Sequence, residues 1–582
     1  MQYEMNFGNL PSSAASAAAS SGKFRIAVLG DFSAAANAGR LETGDDLAAR
    51  KPHRVDVDNL DDVLGRFRPK LNLPIAPDGG SVEIEIDEMD DFHPDQLFDE
   101  LDLFSEFSGL RSRLKNRATF AAAAKEVQAW QGEVGEVEAY AAPRKARSSA
   151  VPGGRLSDFA RLVGRPTAEE SEASAADELI RQIVGPHVVA TKDPQQDKLI
   201  AAVDAALSDA LRRVLHHPDF QTVESLWRSV ELLVRNLETG AKLEIVLLDV
   251  TAEEFAADLS RADSLDQTGL YRLLVEQPAL DAAQGPFAAI VGNYTFEQTP
   301  PHAELLGRMA KLAYAARAPF LAAVSNDYLK KPKPEDVHPL VTESWAKLRA
   351  LPEAAYLGLV VPRFLLRLPY GKKTEPIDPF DFEEFSKREG LRSMPWGNGA
   401  FVATLLLAQT FQKQGLKSMK LGSILSVGDM PYHYFTDDDG DQVALPCTDR
   451  LMTEALAAHA AGQGLMALVS LKGRPEVRLA GFQSPAGKQL LGPWSSETIT
   501  PSAGSGRSAG SSSDAPSDDS ATADEPTAAA EAASEAGESS SDSGGDDELA
   551  ALLASLESPS TESSESGGEE VDPELAALLA NL

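Results

Sequence analysis

Apolar and polar positions follow two periods along this chain. Phe24-Arg-Ile-Ala-Val-Leu-Gly-Asp-Phe32 is apolar apart from Arg25 and Asp31, which predicts a buried strand ending at a Gly-Asp turn. Arg54-Val-Asp-Val-Asp58 alternates like an edge strand, and Asn59 to Phe67 has helical spacing. Ser81-Val-Glu-Ile-Glu-Ile86 alternates strictly and predicts a strand with one wet face. Asp91-Phe-His-Pro-Asp95 opens a helix with Pro94 in its first turn and Leu97, Leu101 and Phe104 on its inner stripe. Met1 to Gly8 alternates weakly and predicts a short strand before a small-residue linker.

Further on, Leu199, Ile200, Val203, Leu207, Leu211 and Leu215 recur at helical spacing. The next helix puts Phe220, Val223, Leu226, Trp227, Val230 and Leu233 on a wide apolar face. Strands are predicted over 243–250, 287–294 and 318–324. A capping box at Thr251-Ala-Glu-Glu254 and a helix over 304–317 lie between them. Strands alternating with helices give an α/β fold. Tyr432–Phe435 and Gln442–Leu445 alternate as hairpin arms around Asp437-Asp-Asp-Gly-Asp441.

Gly358-Leu-Val-Val-Pro-Arg-Phe-Leu-Leu-Arg-Leu-Pro-Tyr-Gly371 is an apolar run broken by two arginines and two prolines. Val360 and Val361 fit a buried strand, and Pro362 ends it because it has no N–H for a ladder. Arg363 and Arg367 read either as structural ion pairs at the rim of a core or as a site for an anion or a partner.

The 582 residues suffice for several domains, and 43% of them are hydrophobic. The net charge of −35 is uneven: 495–582 holds 20 acids and one base, the remainder 69 and 53. An acidic body argues against nucleic-acid binding. The single cysteine, Cys447, excludes an intrachain disulfide framework and fits a reducing cytoplasm. With neither a secretory-type leader nor a spanning apolar run, a cytoplasmic chain without membrane insertion is expected.

Catalytic and metal motifs fail on spacing. Adjacent His216 and His217 would point about 100° apart on a helix, and no carboxylate or third histidine lies at ligand spacing. The Asp437–Asp441 run has Gln442 and Thr448 where a calcium loop needs Gly and Glu. No nucleophile elbow or Walker sequence is present. A non-enzymatic chain without cofactor or metal is expected.

Taken in order, Phe24–Phe32, Arg50-Lys-Pro-His-Arg-Val-Asp-Val-Asp58 and Asp91-Phe-His-Pro-Asp95 resemble the small sheath subunit of bacterial type VI secretion systems. His216-His-Pro-Asp-Phe-Gln221 with Trp227-Arg228, Gly292-Asn-Tyr-Thr-Phe296, Ala316-Arg-Ala-Pro-Phe320, Pro362-Arg-Phe-Leu-Leu-Arg-Leu-Pro-Tyr-Gly371, Phe380-Asp-Phe-Glu-Glu384 and Trp396-Gly-Asn398 resemble the large sheath subunit. The resemblance implies a fusion of the two, acting mechanically in a contractile sheath. It implies an α/β fold of the α+β sheath type: two folded domains with mixed sheets flanked by helices.

The expected divisions are 1–21, an N-terminal strand and linker; 22–125, small-subunit-like; 126–154, linker; 155–494, large-subunit-like; and 495–582, an acidic tail. Sheath subunits, inner tube and baseplate are the implied partners. Pro362, Arg363, Arg367, Tyr370, Trp227 and Trp396 become structural signature residues, with Glu383 or Glu384 as expected partners of the arginines. The family's large subunit continues beyond the segment reached here at Gly481-Phe-Gln-Ser484, so the strands that interlock its protomers are not expected.

The tail's Ser/Ala/Gly/Asp/Glu composition predicts disorder. It contains a repeat: Asp546–Leu556 recurs as Asp572–Leu582 with nine of eleven positions identical. Leu549, Leu552, Leu553 and Leu556 fall on one helical face, as do Leu575, Leu578, Leu579 and Leu582. Acids stand at each start, where the helix dipole favours them. Each copy reads as a docking helix that folds on a partner unnamed by the sequence. This supports an alternative role, a non-polymerising adaptor that holds secretion-system partners through its tail.

Overall fold

Strand β1 (Phe24–Gly30) is buried at all seven positions. An apolar strand with no wet face needs a neighbour on each edge and a layer on each face. In the computed structural model both neighbours come from far along the chain. The structure describes residues 5–11, 22–75, 80–129, 196–329, 337–386, 390–436 and 441–502.

β2 (His53–Val55) and the hairpin β3 (Lys70–Pro74) and β4 (Ser81–Glu85) follow β1 in sequence. β5 (Leu243–Asp249), β6 (Ala289–Phe296), β7 (Phe320–Val324) and β8 (Leu357–Val361) come next. After them stand β9 (Phe364–Leu365), β10 (Trp396–Gly397), β11 (Ser426–Val427), β12 (Tyr434–Thr436), β13 (Gln442–Ala444), β14 (Met466–Ser470) and β15 (Val477–Leu479). Nine of these form one sheet in the order β11-β15-β14-β8-β7-β6-β1-β5-β2. The six strands from β14 to β5 run parallel, and antiparallel strands finish both edges.

β1 pairs with β5 along its whole length, Phe24 opposite Leu243 to Gly30 opposite Asp249, and with β6 from Ile26 opposite Ala289 to Leu29 opposite Gly292. Segments 22–125 and 196–502 therefore share one sheet rather than building two. The reason is local: β5 and β6 are themselves buried, so an apolar strand between them closes a gap that water cannot fill.

Both faces are covered. Phe24, Ile26 and Val28 join a core with Trp227 and Leu405. Ala27 and Leu29 join a second core with Phe255 and Met309. The first is roofed by α1 (Leu60–Phe67), α2 (Pro94–Glu100), α3 (Asp102–Lys115), α4 (Phe120–Ala129), α5 (Gln196–Leu215), α6 (Pro218–Asn236) and, from further along, residues 399–414. The second is roofed by α7 (Ala252–Ser260) and α8 (Pro300–Ala316). α9 (Pro339–Ala350), α10 (Gly399–Gln414) and α11 (Glu454–Gly462) complete the helices used below.

Helix starts are set by side chains that accept orphan N–H groups. Thr251 and Glu254 form the expected reciprocal box, each accepting the other's N–H at 3.0 Å. Three His-Pro pairs do the same work: Nδ1 of His93, His217 and His338 accepts the N–H of Asp95, Asp219 and Leu340. Asn398 starts α10, accepting from Ala400 and donating to the carbonyls of Gly292 and Tyr294.

In the described part of the N-terminal stretch, residues 5–11, Asn9 bridges to Ser264; residues 1–4 of the expected strand lie outside the described residues. The hairpin expected around Asp437 is β12 paired with β13, and its tip at 437–440 lies outside the described residues.

Phe24→Ala should cost about 3–5 kcal/mol and shift one unfolding transition of the whole sheet-bearing body. Urea titration followed by tryptophan fluorescence checks this; a separate early transition confined to 22–125 would contradict it.

Candidate functional site: the seam between the two segments

Where β1 ends, four carboxylates hold the chain that follows it. Asp31 accepts the N–H of Ala35 at 2.6 Å and of Ala36 at 3.1 Å. Asp249, the last residue of β5, accepts the N–H of Phe32 at 2.8 Å and the Ser33 hydroxyl at 2.6 Å. Glu254 accepts the N–H of Glu42, and Asp258 that of Gly44 together with Gly269 and Leu270. Arg50 is the cation here, bonded to Glu254 and Glu42 and to the Asp249 carbonyl. Acids of the later segment thus set the loop of the earlier one. Burial, and secondarily the charge of Asp249, pushes the Asp31 carboxyl up to about 8; burial also raises Asp249.

The other end of β1 carries Arg25, buried beside its cross-strand neighbour Glu244 at 3.3 Å and lying over the Phe287 ring at 4.7 Å. Aromatic rings close the space between: Trp227 meets Phe32 and Phe67 edge-on at 5.2 and 5.8 Å. Phe24 stacks between Phe411 at 4.8 Å and Trp494 at 6.3 Å.

The Gly358–Gly371 stretch supplies the second ionic cluster. β8 stops at Val361, the Val361–Pro362 bond is cis, and β9 pairs with β10. Arg367, 8% exposed, reaches Glu224 and Glu384 at 2.7 Å each and lies 4.0 Å over the Tyr370 ring. Arg228 donates to Glu224 at 2.8 Å and to the Tyr370 hydroxyl at 3.2 Å. The Tyr370 N–H donates to Glu384 at 2.8 Å, and His216 stands 3.7 Å from the same carboxylate.

Two carboxylates face two guanidiniums, so the buried charges balance. Burial alone would raise the Glu384 carboxyl; Arg367, with His216, outweighs it and holds the group at about 2. Burial and the two carboxylates work against the ionised phenol, and the Tyr370 hydroxyl is pushed up to about 12. The earlier segment reaches this cluster too: the His93 ring meets Tyr370 edge-on at 4.9 Å, and Asp95 accepts the N–H of Asp378.

Arg367 therefore pairs with Glu384, one of the two acids named from sequence, and with Glu224, which was not named. Its signal was present: Glu224 and Arg228 stand four apart among the apolar residues of α6, where an unpaired charge is costly. Arg363 has a half-exposed side chain and pairs instead with Asp449 at 2.7 Å. Glu383 pairs with neither arginine; its carbonyl accepts from Arg212 and its carboxylate from the Lys372 N–H. Trp396 donates its indole N–H to the Leu391 carbonyl at 2.6 Å. The tail leucines, Leu549 to Leu556 and Leu575 to Leu582, lie outside the described residues.

Among the described residues no group of His, Cys, Asp or Glu is arranged to hold a metal ion, and no helix is long and apolar enough to cross a membrane. The geometry joins segments.

Arg367→Met leaves two buried carboxylates without their shared cation and should cost about 3–5 kcal/mol, read as a fall in the urea midpoint; a loss under about 1 kcal/mol contradicts a buried cluster. The two perturbed acids give opposite pH limbs. Glu384, depressed when folded, contributes stability that is lost as pH falls from its ordinary range near 4.5 towards 2. Asp31, raised when folded, keeps a proton that the unfolded chain has lost between about 4 and 8, so its contribution declines as pH rises through that window. Stability measured against pH should lose its acid limb in Glu384→Gln and its neutral-range decline in Asp31→Asn; unchanged limbs would contradict these environments.

Residues 20–131 match the VipA family of the type VI secretion system, and residues 197–486 match the VipB family, described as a tail sheath N-terminal domain. A curated relative, the type VI secretion system sheath protein TssC1 of Pseudomonas aeruginosa, is 33% identical over 304 residues, which cover 50% of this chain and 61% of the relative. The chain thus spans about three fifths of that relative's length. The seam described above joins the two matched regions, and the chain belongs to the type VI secretion sheath proteins, with a small-subunit-type and a large-subunit-type segment in one polypeptide.

Proposed function

We propose that this chain is a structural subunit of a contractile type VI secretion sheath, working in the cytoplasm by mechanical rearrangement and not by catalysis. The observation that supports it most directly is β1 of the VipA-type segment lying inside the sheet of the VipB-type segment. A subunit that must transmit force between neighbours needs its two parts to move as one body. A shared sheet with buried charge clusters on its seam supplies that stiffness. Fusion fixes the ratio of the two parts at one to one and keeps their effective concentration high. In this reading the partners are further sheath subunits, an inner tube that the sheath encloses, and a baseplate from which it assembles.

Electron microscopy of the purified chain, alone and with its secretion-system tube and baseplate proteins, tests the proposal. Helical tubes or rings are the expected result. Monomers and dimers alone in every mixture would overturn it.

A further inference from the structure

We propose that the surface formed by residues 413–428, beside the β11 edge of the sheet, is a docking site for the leucine repeats Asp546–Leu556 and Asp572–Leu582 of a second copy of this chain. Helix α10 ends at Gln414, and Gly415 turns the backbone at φ 71°. Leu416, Leu421, Ile424 and Leu425 then pack one side against the core and leave the other open to solvent. Gln414 fixes this stretch by accepting the Lys420 N–H at 2.7 Å and donating to the Ser423 hydroxyl at 2.8 Å, so the surface is formed in advance.

Its charge is unlike that of the rest of the molecule. Lys413, Lys417 and Lys420 are exposed, and none makes an ion pair among the described residues. Residues 413–428 contain no acid, in a chain of net charge −35. β11 pairs with β15 on one side only, and exposed Arg478 stands opposite Ser426 across that pairing.

The repeats carry the complementary pattern. Each places four leucines on one helical face and begins with acids, Asp546-Asp-Glu548 in one and Asp572 with Glu574 in the other. A helix of eleven residues is marginal alone and gains its order from the surface it meets. Leucines would cover the half-exposed aliphatic side chains while the acidic start faces the lysines.

Each chain presents this surface among the described residues and carries two repeats, so one tail has a repeat for each of two other copies. The 15 residues between the repeats, 557–571, extend to about 50 Å at most, which lets one tail join two neighbours. The proposal goes beyond the sheath reading and does not require tube formation.

The test uses a fluorescein-labelled peptide of residues 570–582. Its receptor is the full chain with the leucines of both its own repeats changed to serine, so that the peptide carries the sole intact repeat in the mixture. Saturable anisotropy is expected, weakened about tenfold or more by K413E/K417E/K420E. It should also weaken on raising salt from about 50 to 300 mM and be lost with a peptide carrying L578S/L579S. The lysines are exposed, and an unchanged melting temperature of the charge-reversal variant shows that it folds. Leu421→Gln, which keeps every charge, should weaken binding as well. Absence of saturable binding overturns the proposal, as does binding indifferent to both surface variants or to loss of the leucines.

Discussion

A strand with no polar face cannot end a sheet. β1 buries seven consecutive residues, and its Arg25 is accommodated only because Glu244 and Phe287 lie against it. Its two edges carry backbone groups that need partners, and in this chain those partners begin more than 200 residues later at β5 and β6. Removing β1 would leave two buried strand edges unpaired and open a slot between them, a defect costing far more than the net stability of an ordinary domain. The cores on both faces, the loop after β1 and the seam aromatics all follow from filling that slot.

The charged residues near the seam act as locators rather than as a net source of stability. Buried ion pairs recover little of their desolvation cost, but a lone member is strongly unfavourable, so each cluster permits few arrangements. Glu224, Glu384, Arg228 and Arg367 fit together in one relative placement of α6, the Tyr370 region and the start of α5's successor loop at His216. Asp249, Glu254 and Asp258 likewise accept backbone N–H groups from one path of residues 32–44. Hydrophobic burial joins the two segments; the acids Asp249, Glu254 and Asp258 select the register in which they join, while the Arg367 cluster fixes the later segment's own elements.

What was legible in the sequence was local. The apolar run at Phe24, the helical spacing of Leu199 to Leu215 and the Thr251 box each declare themselves within a few residues, and each forms as its pattern predicts. Strand order was not legible, because insertion of β1 between β5 and β6 depends on edges that no short window contains. The two expected sheets were drawn from chain order, whereas the slot belongs to three-dimensional packing. The arginines show the same division. Glu384 lies 17 residues from Arg367 and was named; Glu224 lies 143 residues away and was hidden in the apolar face of α6. The histidine caps were missed because imidazole is a less familiar cap than Ser, Thr, Asp or Asn, although each precedes a proline at a helix start.

The central claim is that β1 is an interior strand of a sheet shared by both segments. Native-state hydrogen exchange of the backbone amides tests it most directly. Amides of 24–30 should exchange in the slowest class, together with those of β5 and β6, through global unfolding of the body. Exchange of 24–30 through a lower-energy opening, while β5 and β6 remain protected, would contradict it.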